Sequence, residues 1–213
     1  MMAVVSGEKW SLYNEDTNIT CIIVEADVTA TVKFTVDNIT ETYTVTINKT
    51  NTVDGSCGDV SKGVAVQKLE VHFFPNGMDV PATSAQDWTL ELIFTSDESK
   101  AAFQLTDYSL ITSPIQGTNF TQKKFVKLPS SSVDFQAHGI NAFKCSTTSL
   151  PLTDDSVVEL RNLQAIAFAN LETPDFSPNQ VFEQCFLDAR TSDIVPIVVG
   201  ACLAGLRQGY ASV

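Results

Sequence analysis

The stretch Cys21-Ile-Ile-Val-Glu-Ala-Asp-Val-Thr-Ala-Thr-Val-Lys-Phe-Thr-Val36 decides the fold class. Ile22, Val24, Ala26, Val28, Ala30, Val32, Phe34 and Val36 alternate with Ile23, Glu25, Asp27, Thr29, Thr31, Lys33 and Thr35. A period of two puts the first set on one face of an extended chain and the second on the other. The stretch therefore reads as a long antiparallel strand, or two joined by a bulge, with one side in a core and one in water. Asp37-Asn38 supplies a turn, and Tyr43, Val45 and Ile47 repeat the pattern in Thr42–Ile47.

Outward from this hairpin the strands continue. Asn48 to Gly63 is rich in Asn, Thr, Ser, Asp and Gly and is predicted to be a loop that carries Cys57. Val64–Phe74 and Trp88–Phe94 read as strands, and Trp88, Leu90, Leu92 and Phe94 share one face of the second. Phe103, Leu105 and Tyr108 to Ile111 form a less regular run. Pro114 to Thr121 is a turn-rich link, and Val126 to Ser132 is a second loop. Shorter strands are expected around Ala142–Cys145, Val157–Leu160 and Gln164–Phe168. Leu171 to Pro178 breaks regularity before Val181–Leu187 closes the domain. No apolar stripe of period 3.6 holds for three turns before Ile194. With no Gly/Ser linker to divide it, the chain is predicted to be one all-β domain plus a tail.

The 213 residues suffice for a sizeable core. A net charge of −12 and a pI near 4.4 argue against nucleic acid and anionic membrane surfaces as partners. Five cysteines stand at 21, 57, 145, 185 and 202 with no Cys-x-x-Cys. His72 and His138 are far apart in sequence, so neither zinc nor dithiol redox chemistry is indicated. The similar spans Cys21 to Cys57 and Cys145 to Cys185 suggest two local disulfides in an oxidising compartment. Four cysteines allow three pairings, and spacing does not choose among them. Cys202 would be left over.

Catalytic signatures are lacking: no Gly-x-Ser-x-Gly, phosphate-binding Gly-rich loop or His-Glu-x-x-His occurs. The acidic pairs Asp97-Glu98 and Asp154-Asp155 stand in polar runs that would not raise a carboxyl pKa, and they read as solvated turns. No cofactor is expected. Four Asn-x-Ser/Thr sequons, at Asn18, Asn38, Asn48 and Asn119, fall in loops or at strand ends where a glycan would face solvent.

At the C-terminus the polar chain turns apolar from Ile194 to Leu206, then finishes Arg207-Gln-Gly209-Tyr210-Ala-Ser-Val213. Thirteen residues make a helix of about 20 Å, against the ~30 Å of a bilayer core. Ala201 and Gly205 are spaced to seat a neighbouring helix. The N-terminal Met-Met-Ala-Val-Val-Ser-Gly-Glu has no apolar core typical of a secretory leader.

The string Asp193-Ile-Val-Pro196-Ile-Val-Val-Gly200-Ala-Cys-Leu-Ala-Gly205-Leu, eight residues after Cys185, resembles the junction of the lysosome-associated membrane glycoprotein family. There, a Pro-Ile-x-Val-Gly start opens a single transmembrane helix and a short basic tail ends Gly-Tyr-x-x-apolar. The similarity extends through Trp10-Ser-Leu-Tyr before Asn18-Ile-Thr-Cys21, Ile47-Asn-Lys-Thr50 before Gly55-Ser-Cys57-Gly58, and Phe135-Gln-Ala-x-Gly139 before Lys144-Cys145. Asn162-Leu-Gln164 with Ala167-Phe168, and Cys185 with Leu187-Asp188, complete it.

The resemblance implies an antiparallel β-prism-like luminal domain with disulfides Cys21–Cys57 and Cys145–Cys185 and luminal glycosylation. It implies one membrane pass marked by Ile194, Pro196, Gly200 and Gly205, and delivery to lysosomes and late endosomes by clathrin adaptors that read Gly209, Tyr210 and Val213. The chain then divides into an N-terminal extension (1–9), a luminal domain (10–192), a partial transmembrane segment with a short apolar helix (193–206) and a cytosolic sorting tail (207–213). A leader and part of the anchor are expected to be missing from this sequence. The function expected is that of a lysosomal or late-endosomal membrane glycoprotein, a luminal coat with sterol or lipid handling. The alternatives are a trafficking cofactor that sorts a vesicular membrane cargo and, from another class, a secreted hydrolase.

Overall fold

The computed structural model describes residues 8–36, 38–47, 50–61, 63–75, 87–96, 102–115 and 118–190. Twelve strands form two six-stranded sheets among these residues. The first sheet holds β1 (Glu8–Asn14), β2 (Ile19–Val36), β3 (Ile39–Ile47), β10 (Ala142–Pro151), β11 (Val157–Ile166) and β12 (Phe182–Gln184). The second holds β4 (Thr50–Ser61), β5 (Val64–Phe73), β6 (Trp88–Ser96), β7 (Ala102–Thr112), β8 (Lys123–Val126) and β9 (Gln136–His138).

The alternating stretch is the spine of the first sheet. β2 is 18 residues long. Along one edge it pairs with β1 and then β3, and along the other with β11. Ile22, Val24, Ala26, Val28, Ala30, Val32 and Phe34 are buried as the period requires. They face a core shared with Leu69, Val71 and Phe73 of β5 and Trp88, Leu90, Leu92 and Phe94 of β6. Aromatic rings cross the layer: Trp88 lies 5.9 Å from Tyr43 of β3, and Phe135 contacts both Phe94 (5.6 Å) and Phe143 of β10 (4.7 Å).

The predicted loop at Asn48–Gly63 is a strand. β4 is the outer strand of its sheet and pairs with β5 from Thr50↔Phe73 to Ser61↔Val64, with irregularities beside Thr50 and after Ser56. Its polar composition suits an edge whose outer face meets water, and its conformation comes from the β5 backbone rather than from its own side chains. Gly55, at φ +151°, is required there, because a Cβ would lie 2.0 Å from the Lys68 carbonyl oxygen.

Two irregular patterns resolve into bulges. In β7, Phe103 and Leu105 are buried, then Tyr108, Leu110 and Thr112. Asp107 pairs with Ile93 while Leu105 pairs with the next residue, Phe94, so Thr106 is the extra residue that flips the phase. The separate strands expected at Val157–Leu160 and Gln164–Phe168 are mostly one strand, β11, interrupted between Arg161 and Gln164. Asn162 (φ 50°) sits in that bulge and its Nδ2 donates to Asp27 Oδ2 at 2.7 Å.

The expected all-antiparallel pairing has one exception, as β12 runs parallel to β10 over three residues. After it comes a single helical turn over 186–190. Among the described residues, no helix is long and apolar enough to cross a membrane. The predicted helix at Ile194–Leu206, with Ile194, Pro196, Gly200 and Gly205, lies outside the described residues, as do Asn48, Asp97-Glu98, Cys202, Gly209, Tyr210 and Val213.

Candidate ligand groove, disulfides and glycan acceptors

Cys21 bonds to Cys57 and Cys145 to Cys185, with Cα–Cα distances of 5.8 and 5.2 Å. The first joins β2 to β4 and so staples one sheet to the other. The second ties β10 to the residue just after β12 and secures the edge of the first sheet. The loops close over sequence separations of 36 and 40 residues. By chain entropy each constrains the unfolded state by about 4 kcal/mol.

Beside the first disulfide lies a polar bridge with no sequence signature. Gln67 of β5 is buried. Its Nε2 donates to the Cys57 carbonyl at 2.7 Å, and its Oε1 accepts the Phe168 backbone N–H at 2.7 Å. One side chain thus connects β4, β5 and the segment that follows β11. Phe168 has φ 54°, a left-handed conformation that costs a bulky residue about 1 kcal/mol or more. It is held there by Gln67 and by the adjacent bond from Ala169 N to the Cys21 carbonyl, 3.0 Å.

That constrained segment forms the floor of a groove of about 610 Å³, lined by Ile166, Ala167, Phe168 and Leu171, with Ile140 and Val181 at its rim. This volume lies within the range of small-molecule pockets. Ile140 is 88 % and Val181 60 % exposed, so the rim is apolar and open to solvent. Three chain regions build it: the turn after β9, the end of β11 and the approach to β12.

A clasp fixes the wall between β9 and β12. Glu183 Oε1 accepts the His138 backbone N–H (2.8 Å) and Asn141 Nδ2–H (2.9 Å), while Oε2 lies 2.9 Å from His138 Nδ1. Burial pushes the Glu183 carboxyl up, but the hydrogen bonds from Asn141 and His138 together with the His138 charge outweigh it, so its pKa is lowered. His72 is likewise faced by carboxylates, with Asp54 3.4 Å from Nε2 and Asp87 3.5 Å from Nδ1. Tyr108 is shifted upward by burial, an effect partly offset by its hydrogen bond with Ser131 and reinforced by the Asp107 charge.

Of the two acidic pairs, Asp154-Asp155 is the one among the described residues. Asp154 and Asp155 sit exposed in the turn between β10 and β11, and Asp154 meets Lys123 at 2.7 Å. Among the described residues, one grouping has three potential metal ligands within reach of each other: Cys145, Cys185 and Asp188. Its sulfurs are joined to each other, and Asp188 Oδ2 accepts the Ser146 N–H at 2.6 Å, so it offers no thiolates. The acceptors Asn18, Asn38 and Asn119 are exposed. Asn18 and Asn38, with φ of 55° and 63°, occupy turns at opposite ends of β2, a strand of about 55 Å at ~3.3 Å per residue.

The sequence reading found the disulfide cysteines. It missed Gln67, the His138–Asn141–Glu183 clasp and the groove, whose parts lie far apart along the chain.

The family described as lysosome-associated membrane glycoprotein 2-like, luminal domains, matches residues 4–183. Among solved structures, the membrane-proximal domain of mouse LAMP-1 superimposes with a TM-score of 0.63 at 20 % identity, covering 85 % of this chain and 98 % of that one. Human LAMP-3 gives 0.58 at 18 %, covering 85 % and 99 %. The membrane-distal domain of mouse LAMP-2 gives 0.60 at 17 %, covering 83 % and 99 %. No protein with a curated description matches the chain. Two sheets stapled by one disulfide, with a second securing the edge of the first sheet, and a match to one family over 180 of 213 positions (183 − 4 + 1) place this chain among the luminal domains of the lysosome-associated membrane glycoproteins.

Proposed function

We propose that this luminal domain works as a coat module of the lysosomal or late-endosomal membrane, and that its groove takes an apolar ligand of the sterol or lipid class. The groove beside Phe168 carries the proposal: an apolar floor, an exposed Ile140–Val181 rim and about 610 Å³ of space. Such a site binds by removing apolar surface from water; the carboxamides of Asn141 and Gln180 also line it, their nitrogens bonded to Glu183 and to the Ile140 and Val181 carbonyls. The disulfides and the exposed glycan acceptors suit an acidic, proteolytic compartment because they limit local opening.

The test is equilibrium binding of a fluorescent sterol to the purified chain. Saturable binding is expected, and Ile140→Glu, which puts a charge on the rim of a folded domain, weakens it about tenfold, equivalent to ~1.4 kcal/mol. Absence of saturation, or an unchanged affinity in Ile140→Glu, removes the ligand from the proposal.

Delivery is proposed to follow the tail, with a clathrin adaptor reading Tyr210 and Val213 behind a membrane segment at Ile194–Leu206. Tyr210→Ala in cells is expected to move the protein from lysosomes to the cell surface; unaltered delivery refutes this part alone.

A further inference from the structure

We infer that the edge of the first sheet beyond β12 is a bilayer-contact surface, on which the domain lies with Phe186 and Leu187 in the lipid headgroup region. This rests on the proposal that Ile194–Leu206 enters the membrane.

Nine large hydrophobic side chains are exposed among the described residues, and four of them, Ile140, Val181, Phe186 and Leu187, belong to β12's flanks or the turn bonded to them. Phe186 and Leu187 are 57 % and 67 % exposed. They are held outward by fixed neighbours. Cys185 is pinned by its disulfide, the Phe186 N–H donates to Asp134 Oδ2 at 2.6 Å, and Asp188 turns inward to the Ser146 N–H. The Arg190 guanidinium covers the Phe186 ring at 4.3 Å, an aromatic–cation pair of the kind favoured at membrane interfaces.

Chain length sets the height. Only Thr191, Ser192 and Asp193 separate Arg190 from Ile194, a reach of at most about 14 Å. The headgroup region spans ~5–8 Å on each side of the hydrocarbon. Even with that link fully extended, the end of the 186–190 turn stands within about 6–9 Å of the headgroup region, and any slack in the link lets it settle there. The three glycan acceptors among the described residues do not obstruct it. Asn18 and Asn38 flank β2, which β11 and β10 separate from β12, and Asn119 precedes Phe120, whose ring packs on Phe34 at the far end of β2. The acidic balance of the chain makes a zwitterionic surface the fitting partner.

The test uses the full chain with phosphatidylcholine vesicles containing bromolipid, in two variants. Leu187→Trp reports on the proposed contact. Ile39→Trp reports on a site away from that edge: β3, which carries Ile39, lies four strand spacings from β12 in the order β12-β10-β11-β2-β3, or about 19 Å at ~4.8 Å per strand. Trp10 and Trp88 are buried and give a constant background. The expected result is co-flotation of both variants with loss of emission from position 187 and none from position 39. Co-flotation with equal emission at both positions overturns the contact and leaves the membrane segment standing. Failure to co-float overturns the membrane segment and the contact together.

Discussion

Replacing Gln67 tests whether the junction between sheets depends on a single polar side chain. The residue is 3 % exposed and makes two bonds of 2.7 Å, to the Cys57 carbonyl and from the Phe168 N–H. Gln67→Leu keeps the volume but strips partners from two part-buried backbone groups, each worth about 1–3 kcal/mol when left unmade. The leucine recovers ~1–2 kcal/mol by burying an apolar side chain, so the net loss is about 1–4 kcal/mol. Gln67→Ala adds a cavity and loses more. Urea unfolding at neutral pH with the disulfides intact measures this. With a slope of roughly 2 kcal/mol/M for a domain of this size, Gln67→Leu lowers the midpoint by ~0.5–2 M with the slope unchanged. Phe168 loses one of the bonds that hold its left-handed backbone, so the groove floor loosens, and faster amide exchange at 167–171 than in the parent domain is the accompanying signature. A Gln67→Leu midpoint within ~0.3 M of the parent would refute the reasoning, since Gln67 would then be an ordinary buried side chain and not the bridge between sheets.

Two further predictions concern β4 and the clasp. Gly55→Ala places a methyl 2.0 Å from the Lys68 carbonyl oxygen in a backbone conformation unsuited to alanine; a loss of about 2–4 kcal/mol, read as a melting point lower by ~5–15 °C, is expected, and a change under 2 °C contradicts the assigned β4–β5 pairing. For Glu183, the folded carboxyl titrates below its ordinary value of 4.5, so it contributes stability that is present above that value and lost as pH falls through the folded value. Glu183→Gln should therefore flatten the decline in stability below about pH 4.5 while lowering stability at pH 5 to 7; identical pH profiles would remove the clasp.

Local chemistry is what the chain announces along its own length. The period of two in Ile22–Phe34 identifies the longest strand and its buried face, because burial on one side of a sheet demands that alternation wherever the neighbours lie. Cysteines and Asn-x-Thr triplets are equally legible, since their chemistry resides in the residues themselves. The pairing Cys21–Cys57 and Cys145–Cys185 came through likeness to a family, and the structure bears it out.

Other features exist only where distant segments meet. β4 was hidden because its conformation is imposed by the β5 backbone, and β7 looked irregular because one extra residue, Thr106, reverses its phase. Gln67 resembled any polar residue in a strand until folding brought Phe168, 101 positions away, within hydrogen-bond distance. The groove likewise joins a turn at 139–141 to segments 166–171 and 177–181. A single chain position specifies which face it prefers, whereas the shape of a cavity depends on how two sheets stack, which is a property of the packed core as a whole.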